Sequence, residues 1–353
     1  MKQVAKLLII LWAGLGAAQD FRPEILLTPE IEGEPRELAV VGIWPDGCVP
    51  AITEVQEGPE IVITTRHGGA ACEPGPTRYT LAAVLGASGP LADGIYPVRV
   101  LSSGPEERLK RLIGFDLIRI GEPAESFRPE TGIWWPVSEG SNPTAGPGIG
   151  FAIESQERAM VLLANMYDAL GSPMWMIGTG TLSGRLLRTD LLSFSGGQPL
   201  FTRYAPPDGV NRQARGYLQF HSRSEATLWV SAPREQRVGA ELLLHPISLA
   251  RYNFGHATGV FAFAGTWTLV HGEKAATLRL APDLMRRGSR PGLVDQALGL
   301  RLSCEQSQAG GVATRCELLD TDNEVWAVFD DIGLNRLYGV HADGEPVRAF
   351  RME

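Results

Sequence analysis

Cysteine and histidine are sparse in this chain of 353 residues. There are four of one and six of the other, with no C-x-x-C or H-x-x-x-H spacing among them. Without closely spaced soft ligands a zinc finger is excluded, and the expectation is no metal and no cofactor. Charged residues make up only 20% and hydrophobic ones 44%. That balance fits neither a disordered polyelectrolyte nor a multi-span helical membrane protein. Basic residues are outnumbered, 32 against 40 acidic, for a net charge of −8. A phosphate backbone is repelled by such a surface, so nucleic acid is not expected as a partner despite the local basic cluster Arg286, Arg287 and Arg290.

The one strongly apolar run stands at the N-terminus. Lys2 and Lys6 precede Leu7 to Ala18, which carries Ile9, Ile10 and Trp12 and ends in Gly16-Ala17-Ala18. Residues 1–18 therefore read as a secretory signal peptide. As a helix the run rises only about 18 Å, too short for a stable bilayer span, and no cysteine follows it to suggest a lipoprotein. Cleavage removes two lysines and leaves a still more acidic mature chain, periplasmic or extracellular, with no membrane span. An oxidising compartment lets cysteines pair. Sequential pairing, Cys48 with Cys72 and Cys304 with Cys316, is the simplest choice, each bridge removing about 3 kcal/mol of unfolded-chain entropy.

Beyond the signal, apolar and polar residues alternate with period two in short runs divided by turn residues, the pattern of an all-β protein. The best strands of the first part are 38–44, 60–65, 78–85, 95–101 and 115–120, separated by Asp46-Gly47, Gly75-Pro76, Gly89-Pro90 and Asp93-Gly94. A short helix is expected over Pro105 to Leu112. Trp44 precedes both nearby cysteines, so 19–122 is described as an immunoglobulin-like sandwich in layering rather than a true immunoglobulin domain. A polar, Pro-containing linker covers 123–130. An aromatic-rich β domain, a larger antiparallel barrel or sandwich, follows over 131–353.

Within that domain residues 155–170 fit either an amphipathic helix or a strand. Asp168 and Gly171, between Tyr167 and Trp175, favour strands meeting at a tight turn. The frame Tyr167-Asp168-x-x-Gly171 is echoed by Phe329-Asp330-x-x-Gly333, and Gly132-Ile133-Trp134 by Gly265-Thr266-Trp267. Two related halves, 131–250 and 251–353, are the inference. A short helix is expected at Leu293 to Leu298.

Gly132-x-Trp134-Trp135, Gly148-x-Gly150-Phe151, Tyr167-Asp168-x-x-Gly171-x-Pro173-x-Trp175 and Gly178-x-Gly180 together resemble a β module of secreted proteobacterial proteins of unknown function, over about 131–245. Gly42-x-Trp44-Pro45-x-Gly47-Cys48, with Cys72 and Gly94-x-Tyr96-x-Val98, is similar to domains of the same kind of protein. The resemblance implies fold and compartment, and brings no catalytic residues. This chain departs from the module by inserting Glu139 to Pro147.

Catalytic signatures are thin. No G-x-S-x-G elbow is present, and Ser195 in Phe194-Ser195-Gly196-Gly197 reads as a turn. His221, His245 and His256 read as structural or surface residues. Asp320, Asp322 and Glu324 lack the glycine an EF-hand loop needs at its sixth position, where Val325 stands, and read as a solvated turn. Gly146 to Gly150 has no following Lys-Ser/Thr and is no phosphate loop. Only the aromatics suggest a site: Trp134, Trp135, Tyr167 and Trp175. Adjacent Trp134 and Trp135 must point to opposite faces of one strand, so one indole leaves the core. An exposed indole suits a sugar ring or a partner's apolar anchor. The expected function is therefore a non-enzymatic exported binding protein, its partner a glycan or an envelope protein. A secreted hydrolase with a dispersed carboxylate or Ser/His site, and a structural envelope component, are the alternatives.

Overall fold

A computed structural model describes residues 22–28, 36–68, 72–87, 89–104, 109–122, 127–137, 148–168, 170–235, 237–255, 257, 259–283, 291–305, 313 and 315–352. The expected signal peptide lies outside them, as do the expected loop insertion and His256. The chain divides into two compact units, 1–122 with 231–244, and 123–230 with 245–353. Among the described residues the only helical element is one 3₁₀ turn, and every other element is a strand.

Seven strands build the first unit: β1 (Glu24–Leu27), β2 (Glu37–Asp46), β3 (Ala51–Gln56), β4 (Ile61–Arg66), β5 (Pro74–Val84), β6 (Gly94–Ser103) and β7 (Arg111–Ile120). They form two sheets, β1-β2-β5 and β3-β4-β6-β7, antiparallel except for the β4–β6 pair. Period-two alternation supplies the core. Leu38 and Val40 from one sheet meet Ile61, Ile63, Val98 and Val100 from the other, all without exposure. Cys48 and Cys72 are bridged, Cα atoms 5.2 Å apart. The helix expected at 105–112 is not formed in its described part. Leu112 pairs with Leu101 in the β6–β7 ladder, and Ile113 and Phe115 are buried, so strand pairing overrides the local helical spacing.

The second unit is dominated by two closed eight-stranded barrels. The first runs through β8 (Gly132–Pro136), β9 (Gly150–Gln156), β10 (Ala159–Tyr167), β11 (Pro173–Thr181), β12 (Leu186–Gly196), β13 (Pro207–Phe220), β14 (Glu225–Pro233) and β15 (Leu242–Arg251), and β15 returns to pair with β8. After the 3₁₀ turn Gly259–Phe263 the second uses β16 (Gly265–His271), β17 (Lys274–Pro282), β18 (Gly292–Asp295), β19 (Leu300–Glu305), β20 (Arg315–Leu319), β21 (Val325–Ile332), β22 (Arg336–His341) and β23 (Pro346–Arg351), closed by β16 against β23. Both are up-and-down meanders. An eight-stranded barrel is just wide enough for side chains to fill. Trp134, Phe151 and Leu162 are buried in the first, and Trp267, Leu302 and Phe329 in the second. Charged residues such as Arg212, Lys274, Arg279 and Arg348 take exposed positions. That arrangement, apolar inside and charged outside, is the reverse of an outer-membrane barrel. No helix among the described residues is long and apolar enough to cross a membrane.

Each barrel is fastened by the same three residues. Trp134 Nε1 donates to the Glu130 carbonyl at 3.0 Å, and Trp267 Nε1 to the Phe263 carbonyl at 2.8 Å. Two residues before each indole stands a glycine with left-handed backbone, Gly132 at φ 111° and Gly265 at φ 129°. From the last strand of each barrel an arginine reaches back. Arg251 donates to the Thr131 and Ile133 carbonyls, and Arg351 to those of Leu334, Ala264 and Ala262 while lying 4.8 Å over the Trp267 ring. The barrels are thus two related halves sharing the Gly-x-Trp frame. The hairpin echo does not belong to that repeat. Tyr167-Asp168 ends the third strand of one barrel and Phe329-Asp330 lies on the sixth strand of the other.

The described part of the ambiguous segment is strand on either side of a turn, the end of β9 and β10, with Met160, Leu162 and Ala164 buried at alternate positions of β10. The helix expected at 293–298 is instead β18 and a turn. Leu293 pairs with Leu302, and Asp295 Oδ1 accepts the Ala297 and Leu298 N–H groups, ending the strand. Cys304 and Cys316 face each other across β19 and β20 and are bridged.

The two barrels meet through a buried carboxylate and an ion pair. Glu130 accepts the Leu334 and Asn335 N–H groups at 3.0 and 2.8 Å, and Arg223 holds Asp331 at 2.7 Å. Burial pushes the Glu130 carboxyl above the ordinary glutamate value, against the lowering effect of those N–H groups, Arg251 and Arg336. A raised folded value means the proton stabilises the fold. Stability is full below the ordinary glutamate value and falls as pH rises through the raised one. Urea midpoints across that range should decline with pH, and Glu130→Gln should flatten the decline while costing about 1–3 kcal/mol for the lost acceptor.

A second prediction concerns the glycines. A Cβ on Gly132 would stand 2.6 Å from Arg251 Nη2, whereas at Gly265 the nearest atom is 4.0 Å away. Gly132→Ala should therefore lower the thermal midpoint more than Gly265→Ala, which meets backbone strain alone, about 1–3 kcal/mol. Equal losses would mean that Arg251 does not occupy the position described.

Candidate functional site

The four aromatic residues singled out from the sequence are not brought together. Trp134 points into the first barrel with no exposure and packs edge-on against Phe220 at 5.8 Å. Trp135, next on the same strand, lies half-buried against Tyr252 at 5.5 Å. Tyr167 and Trp175 stand on the outer wall, 51% and 48% exposed. The residue that completes their surface was not singled out: Phe194 of β12 stacks on Trp175 with ring centroids 5.6 Å apart and planes 23° from parallel. Asn165 lies directly opposite Trp175 on β10, and Val210 opposite Phe194 on β13. The result is an aromatic platform on the barrel wall, edged by the Asn165 amide.

The polar constellations weighed for catalysis resolve into structure. His221 Nε2 contacts Thr227 Oγ1 at 2.8 Å, and burial, with Arg185 beside it, pulls the imidazole below its ordinary value. His245 is exposed. His67 Nδ1 lies 3.3 Å from Ser102 Oγ, but Ser102 is fully buried and offers no reachable nucleophile. Ser195 leads into Gly196 and Gly197, both at positive φ, where β12 ends. Asp320 Oδ1 accepts the Asp322 and Glu324 N–H groups, the internal bonding of a turn.

A further cluster sits at the mouth of the second barrel. His271 is the last residue of β16 and His341 the last of β22, and each continues the inward-facing positions of its strand, Trp267–Leu269 and Leu337–Gly339. Their rings lie 4.1 Å apart. Asp343, in the β22–β23 turn, places Oδ2 3.1 Å from His271 Nε2 and Oδ1 2.9 Å from His341 Nδ1. The turn is fixed by its own bonds, Gly344 N–H to the His341 carbonyl and Glu345 N–H to Asp343 Oδ1. The Glu345 N–H holds the Asp343 carboxyl below the usual carboxylate range, helped by the two histidines. Trp326 is the extra residue of a bulge between β20 and β21. A bulge re-aims its side chain, and this indole walls both imidazoles edge-on at 5.8 and 4.4 Å. No sequence spacing announces this group. Only the return of β23 to β16 brings residue 271 beside 341 and 343. The one local hint is that both histidines stand at hairpin turns marked by Gly272 and Gly344.

Comparison with protein-family models, with curated proteins and with solved structures finds no match to this chain.

Proposed function

We propose that this is an exported, non-enzymatic binding protein, acting in the periplasm or outside the cell, whose first barrel takes a neutral glycan on its outer wall. The observation that carries this reading is the Trp175–Phe194 stack. An indole left 48% exposed, backed by a second ring and edged by the Asn165 amide, provides an apolar face with a hydrogen-bonding neighbour, the composition that suits a sugar ring. Export is supported by the residue pattern of 1–18 and by the two cysteine bridges, which persist in oxidising compartments. The resemblance to secreted β modules agrees with the same compartment. Filled barrel interiors favour a wall over a lumen as the place for a ligand.

The test is titration of the purified protein with soluble oligosaccharides of β-linked glucose and of N-acetylglucosamine, followed by tryptophan fluorescence. Trp175→Ala should weaken binding by about tenfold or more, the share of one stacked aromatic, with an unchanged thermal midpoint because the ring lies outside the core. Trp135→Ala should bind as the unaltered protein does. Absence of binding across the panel, or binding indifferent to Trp175→Ala, would overturn the reading.

A further inference from the structure

The geometry points to a divalent transition-metal site at the mouth of the second barrel, with zinc the best-suited ion, held by His271 Nε2, His341 Nδ1 and the Asp343 carboxylate. The three donor atoms lie within 4.8 Å of one another. Tetrahedral zinc, with bonds near 2.0–2.2 Å, needs ligand atoms about 3.4 Å apart. The nitrogen-to-oxygen separations of 3.1 and 2.9 Å require only a slight opening to admit it. Two imidazoles and one carboxylate form a donor set suited to zinc among borderline ions, and three protein ligands leave a fourth place for water or for a donor atom of a bound molecule.

Three features separate this group from a chance meeting of polar side chains. First, His341 Nδ1 faces the Asp343 carboxylate at 2.9 Å, and its only backbone contact is a long one of 3.2 Å from the Asp343 N–H, which a metal would replace. Second, His271 Nε2 is buried and makes no hydrogen bond although Oδ2 is 3.1 Å distant. The oxygen lies off the axis along which that nitrogen points, the relation expected of two ligands that share an ion rather than a proton. Third, the frame is built in advance. The histidines end two strands of a closed barrel, the carboxylate is pinned by the Glu345 N–H, and Ala342 N–H bonds the Trp326 carbonyl at 3.0 Å, which ties the turn to the indole behind the rings. Pinned donors lose little freedom on binding, which favours affinity.

The site is independent of the glycan platform, which lies on the other barrel, so either can fail without the other. The test uses tag-free protein stripped with a chelator and titrated with Zn²⁺ by calorimetry, then with Co²⁺, whose visible absorption reports tetrahedral coordination. One ion per chain is expected. Asp343→Asn keeps the acceptor for the Glu345 N–H and removes the charge; it should weaken Zn²⁺ binding by about tenfold or more. His271→Ala and His341→Ala should abolish the Co²⁺ bands, and His245→Ala, an exposed imidazole elsewhere, should leave them intact. Circular dichroism of each variant separates loss of the site from loss of the fold, with Asp343→Asn, a change at an exposed turn, as the variant expected to stay folded. No saturable Zn²⁺ binding by the unaltered protein, or binding that survives both Asp343→Asn and His271→Ala, would overturn the proposal. A site that responds to pH with no response to metal would show that a proton, not an ion, is shared.

Discussion

A sheet of eight strands has two raw edges, and each barrel of this protein removes them by bringing its last strand home to its first. The fastener is an indole buried beneath that seam and an arginine that spans it. Arg351 reaches the carbonyls of Ala262 and Ala264, which precede β16, and of Leu334, which precedes β22, so a single guanidinium ties two other chain segments to the end of β23. Arg251 ties the end of β15 to the start of β8 in the first barrel, at Thr131 and Ile133. Burial lowers the values of both guanidinium groups from the ordinary arginine value, and the N–H groups of each are met by several carbonyl oxygens. Removing one partner of such an arrangement leaves buried acceptors unsatisfied, which is why the fastener matters more than its few hydrogen bonds suggest.

Closure of this kind decides where function can reside. The lumen of each barrel is occupied by its own side chains, so the surfaces left for recognition are the walls and the mouths. On the wall of the first barrel, cross-strand neighbours place Trp175 against Phe194. At the mouth of the second, at the opposite end of the β16–β23 seam from Trp267, the strand ends deliver two imidazoles to one carboxylate. Neither group exists until the strands are in register, because a slip of one residue turns each of these side chains to the other face.

Part of this was legible in the sequence for a definite reason. Period-two alternation is a local signal, and it marked β2, β4, β5, β6 and β7 without help from tertiary structure, whereas over 155–170 both periods fitted and the turn residues Asp168 and Gly171 decided for strands. The glycine and tryptophan pair at 132–134 and 265–267 was visible as a repeat because the fastener needs a left-handed residue two places before its indole. The arginines were not visible as part of it, since Arg251 binds Thr131 from 120 residues away. The helices expected at 105–112 and 293–298 failed where a strand partner, Leu101 or Leu302, outweighed local spacing. Trp134 belonged to the core and Trp175 to the surface for a reason hidden from any local window: which face of its strand turned inward. His271 and His341, far apart in sequence, became neighbours only through the closing pair.

Closure is tested most directly by amide hydrogen exchange along β16 and β23, resolved by NMR. A closed barrel predicts that Thr268, Val270, Arg348 and Phe350, which alternate toward the β16–β23 seam in step with the Met352 N–H on the Thr266 carbonyl, exchange as slowly as Leu302 and Leu318 in the interior of the sheet. Rapid exchange confined to one side of β16 and β23, with alternate amides open to solvent, would show two free edges and contradict the account.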